Sequence, residues 1–204
     1  MASNDYHFIT HWRVAGTVTE VADIIFDASE LARWWPSVYL EVDVLEPGDA
    51  HGVGRVVDLY TKGWLPYTLR WQFRITETRP DGFTLVASGD FAGRGIWTFT
   101  QDSSWVHITY DWKLSAEKPL LRKFSFIMKP IFSANHRWAM KKGEESLKLE
   151  LARRYAKTQA ERALIPAPPQ ATTTSSLPLL AGLVAILVAV GSLSYLALKA
   201  LSTR

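Results

Sequence analysis

Across residues 38–115 apolar and polar side chains alternate with a period of two, in runs separated by turn residues. This pattern predicts a meander of antiparallel strands with one buried face. The runs are 38–45, 54–61, 67–78, 83–90, 93–101 and 105–114. The third is the clearest, with Leu69, Trp71, Phe73 and Ile75 on one face and Arg70, Gln72, Arg74 and Thr76 on the other. Pro80-Asp81-Gly82 ends it, because Pro presets φ and Gly tolerates positive φ. The later inward rows are Phe83/Leu85/Ala87, Gly95/Trp97/Phe99 and Val106/Ile108/Tyr110/Trp112. Ahead of the meander, residues 6–14 read as a first strand, broken at Ala15-Gly16. Thr17 or Thr19 then caps a short helix to Phe26 with Val21, Ile24 and Ile25 as its apolar stripe. A helical turn over 29–34 stops before Pro36, since the residue preceding a proline avoids the α region.

After Pro119 the period lengthens to that of a helix running to about residue 160, with a kink or a junction of two helices expected at Pro130. Phe124, Met128, Ile131, Asn135, Trp138 and Lys142 fall near one face of it. The next stretch is rich in Pro, Ala, Thr and Ser and reads as a semi-extended tether reaching at most about 50 Å. Residues 177–198, LPLLAGLVAILVAVGSLSYLAL, carry no charge over 22 positions. As a helix this covers roughly 33 Å, against a hydrocarbon core of roughly 30 Å. The expected organisation is a folded domain over 1–160, a linker over 161–176 and a transmembrane tail anchor over 177–198.

Composition narrows the chemistry. The chain has no cysteine, which excludes disulfides, thiolate catalysis and cysteine-based zinc sites. Nine Trp, seven Tyr and nine Phe suit a dense aromatic core or an apolar cavity. Residues 1–112 hold 8 Lys/Arg against 15 Asp/Glu, whereas residues 113–162 hold 13 against 5. A basic segment ahead of a membrane span fits a single-pass protein whose N-terminal domain faces the cytoplasm. No nucleic-acid motif accompanies the basic helix, so no nucleic-acid partner is expected.

A sheet face of alternating aromatics needs cover, and the one long element available is the C-terminal helix. The strings ARWWPSVY (32–39), LEPGDAHGVGR (45–55), LPYTLRWQFRITE (65–77), GRGIWTF (93–99), ITYDWKL (108–114) and NHRWAMKKGEESL (135–147) are similar to the START-like, helix-grip (SRPBCC) superfamily. They resemble in particular its bacterial polyketide cyclase/dehydrase and lipid-transport members, over about residues 5–155. The resemblance implies an α+β helix-grip fold, with a curved antiparallel sheet of about seven strands around the long helix. It also implies an elongated cavity, opening near the 60s loop and the start of that helix, for a hydrophobic small molecule or lipid. Trp71, Phe73, Trp97, Tyr110, Trp112, Met128, Ile131 and Asn135 are the residues best placed to line it. Asn135 stands out, because an amide buried in an apolar stripe without a partner costs roughly 1–3 kcal/mol.

No residue pattern forces an enzymatic reading. His7 and His11 share a strand face with no third ligand nearby, so no metal is expected, and no phosphate-cradling loop or cofactor motif is present. His136 is the best general acid/base candidate by its ordinary pKa, although helix geometry turns it about 100° from Asn135, toward an exposed or satisfied position. Three functions remain open: membrane-anchored binding, transfer or sensing of an apolar ligand; a cyclase/dehydratase-type enzyme using the same cavity; and a non-catalytic membrane-anchored adaptor.

Overall fold

The computed structural model describes residues 5–117 and 119–173, with the backbone alone for 116 and 119–128. Seven strands form one antiparallel sheet in the order β1-β7-β6-β5-β4-β3-β2. They are β1 (Asp5–Ala15), β2 (Tyr39–Glu46), β3 (Val56–Lys62), β4 (Thr68–Arg79), β5 (Gly82–Gly89), β6 (Phe91–Asp102) and β7 (Trp105–Ala116). Only the first strand leaves the meander, crossing over to pair with the last (Phe8 opposite Trp112, Trp12 opposite Ile108). β1 and β2 are therefore the two edges. Along β2 the register shifts twice, between Tyr39 and Glu41 and between Val44 and Glu46.

The inward rows expected from the period-two pattern are the buried ones, including Trp71, Phe73, Ile75, Trp97, Phe99, Ile108, Tyr110 and Trp112. Trp97 pairs with Tyr110 across β6 and β7, and their rings stack with centroids 4.1 Å apart. Gly95 allows that packing. A Cβ there would lie 2.7 Å from the Tyr110 hydroxyl and 2.9 Å from the Trp112 ring.

Helix α1 (Val18–Phe26) begins in a capping box in which Thr17 and Glu20 each satisfy the other's backbone amide. A 3-10 turn (Ala28–Glu30) and α2 (Leu31–Trp34) follow. Helix α3 (Pro119–Tyr155) lies across the concave face as one element with Pro130 inside it, not as two helices meeting at the proline. It buries Met140, Gly143, Leu147 and Leu151 at helical spacing. Gly143 receives Trp35 so closely that a Cβ would sit 2.3 Å from the indole. The C-terminal half of α3 is tied down by charge. Arg33 makes a two-pronged pair with Glu150 at 2.8 and 2.7 Å, and the Tyr155 hydroxyl donates to Glu20 at 2.8 Å. One end of the grip is thus bolted.

Two expectations for the C-terminal part change. α3 stops at Tyr155 rather than near residue 160, and α4 (Gln159–Ala163) starts afresh on a second capping box, Thr158 with Glu161. The chain beyond it is no free tether. The Pro166 carbonyl accepts from Arg153, and the Thr172 carbonyl accepts from Lys62 Nζ at 2.7 Å. Among the described residues no helix is long and apolar enough to cross a membrane; the expected span, 177–198, lies outside them.

Candidate functional site

Sheet and helix enclose a cavity of about 160 Å³. Its wall is mainly apolar and aromatic, with Trp71 and Trp112 from the sheet and Met140 from α3. A second void of about 60 Å³ lies deeper, lined by Phe73 and Trp97. Trp35, Tyr39, Trp71, Tyr110 and Met140 line both, so these five side chains form the partition between the two chambers. The lining residues that keep some exposure include Lys62 at the end of β3, Gly63 and Tyr67 of the β3–β4 loop, and Phe132, Asn135 and His136 of α3. The cavity opens at that end, opposite the Arg33–Glu150 bolt.

The eight expected lining residues divide. Trp71, Tyr110, Trp112 and Asn135 border the larger cavity, while Phe73 and Trp97 border only the deeper one. Ile131 does not line either; it is 36% exposed, because the helix turns it off the inward face that Phe132, Asn135 and His136 occupy. The side chain of Met128 lies outside the described residues.

Asn135 is held by neighbours. Its Oδ1 accepts from the backbone amides of Trp64 at 2.9 Å and Leu65 at 3.3 Å, which fixes the β3–β4 loop to α3 at the cavity mouth. The loop can come that near because position 63 is glycine: a Cβ would fall 2.1 Å from Asn135 Oδ1.

His136 departs most from expectation. It is only partly exposed, and one of its ring nitrogens is unsatisfied. It lines the larger cavity, its ring stacks on Phe8 with centroids 4.1 Å apart, and its Nε2 is buried without a hydrogen-bond partner. Burial, assisted by the neighbouring Arg137 charge, pushes its pKa from 6.5 down to about 4, so the ring is neutral near pH 7. The stripe spacing from Phe124 through Asn135 had pointed one residue short of it. Only the length of Phe8, on the first strand, could have signalled a ring-on-ring contact, and that pairing spans most of the chain.

Further polar groups share the wall. Trp35 Nε1 is buried without a partner. The phenols of Tyr39 and Tyr110 are held neutral by burial, and Tyr39 further opposes ionisation of Tyr110. Trp71 is satisfied: its indole N–H donates to Thr61 Oγ1 at 3.0 Å. Inside the mouth, where Lys62 stands, the polar groups of the wall described above therefore offer hydrogen bonds without a formal charge.

The remaining candidates are spent elsewhere. His7 bonds Asp111 at 2.9 Å, and His11 bonds Thr109 at 3.2 Å. Asp58 is taken by Arg70 and Gln72, and Arg94 is exposed on the convex face. Among the described residues no group of His, Asp or Glu could hold a metal ion. A larger open cleft of about 600 Å³ lies between α1 and the β4–β5 turn. The Asp49 carboxylate on its edge is consumed by the amides of His51 and Val53, and none of its lining side chains carries a buried unpaired atom.

The overall fold is shared with solved structures. The fold is the START-like helix grip. An aromatase/cyclase from Streptomyces sp. R1128 (Zhui) superposes with a TM-score of 0.58 at 18% identity, covering 75% of this chain and 97% of its own. Norcoclaurine synthase from Thalictrum flavum, solved with dopamine and hydroxybenzaldehyde, gives 0.53 at 13% identity, covering 76% of this chain and 90% of its own. The di-domain aromatase/cyclase BexL from the BE-7585A biosynthetic pathway gives 0.55 at 13% identity over 77% of this chain and 52% of that one. No family model matches the sequence, and no curated protein does. Helix-grip architecture is what these likenesses have in common with this chain.

Proposed function

We propose that this helix-grip domain binds a compact apolar molecule, about one ring in size and bearing a neutral hydrogen-bonding group, and that residues 177–198 tether it to a membrane. The observation that carries the reading is the buried, unpartnered Nε2 of His136 on the wall of a mainly apolar cavity. An unpaired buried polar atom costs about 1–3 kcal/mol, and a ligand oxygen or hydroxyl removes that cost. Size limits the ligand. A cavity of about 150 Å³ accepts benzene, whereas sites for larger molecules begin at about 300 Å³, so 160 Å³ favours a single ring over a whole lipid. The tether rests on the 22 uncharged residues and the basic segment before them.

An enzymatic reading of the same chamber has specific support. A neutral imidazole and two neutral phenols lining one cavity are groups able to transfer protons, and one structural neighbour was solved with dopamine and hydroxybenzaldehyde. In that case His136 Nε2 would take or give the proton.

Phenol titration of the full chain in detergent, followed by tryptophan fluorescence, tests the binding reading. Quenching that saturates is expected, because Trp35, Trp71 and Trp112 line the chamber. Ala139 also lines it, so Ala139→Trp should weaken the response at least tenfold while the fold persists by near-ultraviolet circular dichroism. An identical, non-saturating response in both proteins would sink the proposal and favour a solid-cored adaptor. Native mass spectrometry after purification from cells would then identify any resident ligand.

A further inference from the structure

The ten residues after α4, LIPAPPQATT, are fixed at both ends of their course. Near the bolted end of the grip Arg153 donates to the Pro166 carbonyl. Near the open end Lys62 Nζ donates to the Thr172 carbonyl at 2.7 Å, and Thr172 Oγ1 donates to the Gly63 carbonyl at 3.3 Å. Ile165, Pro168, Pro169, Ala171 and Thr172 between them are half-buried. Pro166, Pro168 and Pro169 keep the chain extended with little entropy left to lose, so a run of six residues spans up to about 20 Å as a semi-rigid rod.

Lys62 and Gly63 are also lining residues at the open end of the cavity. The chain therefore leaves the domain beside the cavity mouth. Leu177, where the 22-residue uncharged stretch starts, follows Thr173 by four residues, a reach of at most about 14 Å. The sequence at the start of α3 agrees. PLLRKFSFIMKPIF (119–132) carries Arg122, Lys123 and Lys129, no acid, and six residues of the Phe, Ile and Met type. Such a mixture suits a helix end facing anionic head groups.

We propose that residues 164–173 are a strap, latched by Lys62, that holds the mouth of the cavity against the membrane entered by residues 177–198. An apolar ligand then exchanges between bilayer and chamber without crossing bulk water. The proposal rests on the membrane-tethered binding reading above and adds an orientation to it.

The test uses the full chain reconstituted into vesicles of phosphatidylcholine and phosphatidylserine. With no native cysteine, single sites can be labelled cleanly: Pro66→Cys and Lys129→Cys at the mouth, Asp81→Cys in the turn at the far end of β4. β4 has 12 residues, which separates the two ends by about 40 Å at 3.3 Å per residue. Fluorophores at 66 and 129 should be quenched by nitroxide head-group lipids several-fold more than one at 81. Replacing 164–173 with a Gly/Ser segment of equal length should abolish the difference, and Lys62→Met should narrow it, with vesicle flotation retained. Equal quenching at all three sites in the native strap would overturn the proposal, as would a difference that survives the Gly/Ser replacement. A chain that fails to float with vesicles refutes the membrane tether and the strap with it, whereas saturable phenol quenching reports on the cavity independently of either.

Discussion

Replacing His136 by Phe separates the cost of a buried imidazole from everything else in the core. The aromatic face on Phe8 is kept, since the two rings lie 14° from parallel. In the unfolded chain the imidazole titrates near its ordinary 6.5, and in the folded chain near 4. Between those values the unfolded state holds one more proton than the folded state, so stability falls as the pH falls. The stability is complete above about pH 6.5. It is lost at about 1.4 kcal/mol per unit down to about pH 4, roughly 3 kcal/mol in all. With a urea slope of about 2 kcal/mol/M for a domain of this size, the native midpoint should drop by about 1 M more than that of His136→Phe between pH 7.5 and 4.5. Urea melts of the full chain in mild detergent, followed by tryptophan fluorescence at several pH values, measure this directly. Carboxylates contribute equally to both proteins and cancel in the difference. Parallel pH profiles would refute the reasoning, because the imidazole would then be paired or hydrated in the folded state.

Asn135→Ala leaves two loop amides without their acceptor, so hydrogen exchange at Trp64 and Leu65 should quicken and stability should fall by about 1–3 kcal/mol. Arg33→Ala removes the two short hydrogen bonds to Glu150, which is 3% exposed, and leaves it only the longer pairs to Arg154 at 3.5 Å and Arg153 at 3.9 Å; with Arg33 itself half in water, a loss of about 2 kcal/mol is expected in thermal or urea melts. Burial raises the Glu150 pKa, but the Arg33 hydrogen bonds and charge, with Arg154, outweigh it and bring it below the ordinary carboxylate value. This contribution is present above the unfolded pKa and disappears as the pH falls through the lowered folded one, and the Arg33→Ala deficit should shrink with it. Gly95→Val forces the Tyr110 and Trp112 rings apart from β6, which should change the near-ultraviolet circular dichroism and cost about 1–3 kcal/mol.

The sheet was legible because one buried face imposes a strict alternation, and each inward row of the meander could be counted along the chain. A cap at Thr17 or Thr19 was legible too; the structure selects Thr17, whose box partner Glu20 lies three residues on. The cavity mouth was harder. That Asn135 binds the 63–65 loop depends on Gly63, some seventy residues away, and nothing local says that two such positions meet. His136 was misjudged from the helix stripe alone, because Phe8 on the edge strand supplies the wall that buries it. The 164–173 segment has the composition of a linker. Its attachment to Lys62 and Arg153 uses backbone carbonyls, which every sequence possesses.

The position of β2 at one edge of the sheet bears on how many copies of this chain can share a surface. A free strand edge is a template for pairing with another chain, and confinement to a bilayer would raise the local concentration of such edges far above that in solution. β2 carries Glu41, Asp43 and Glu46 along its course, and its two register shifts interrupt the regular row of amides and carbonyls. Charge and irregularity of this kind discourage sheet-to-sheet growth. Were these domains held together on one plane, the charges and register shifts along β2 would disfavour growth of fibres through that edge.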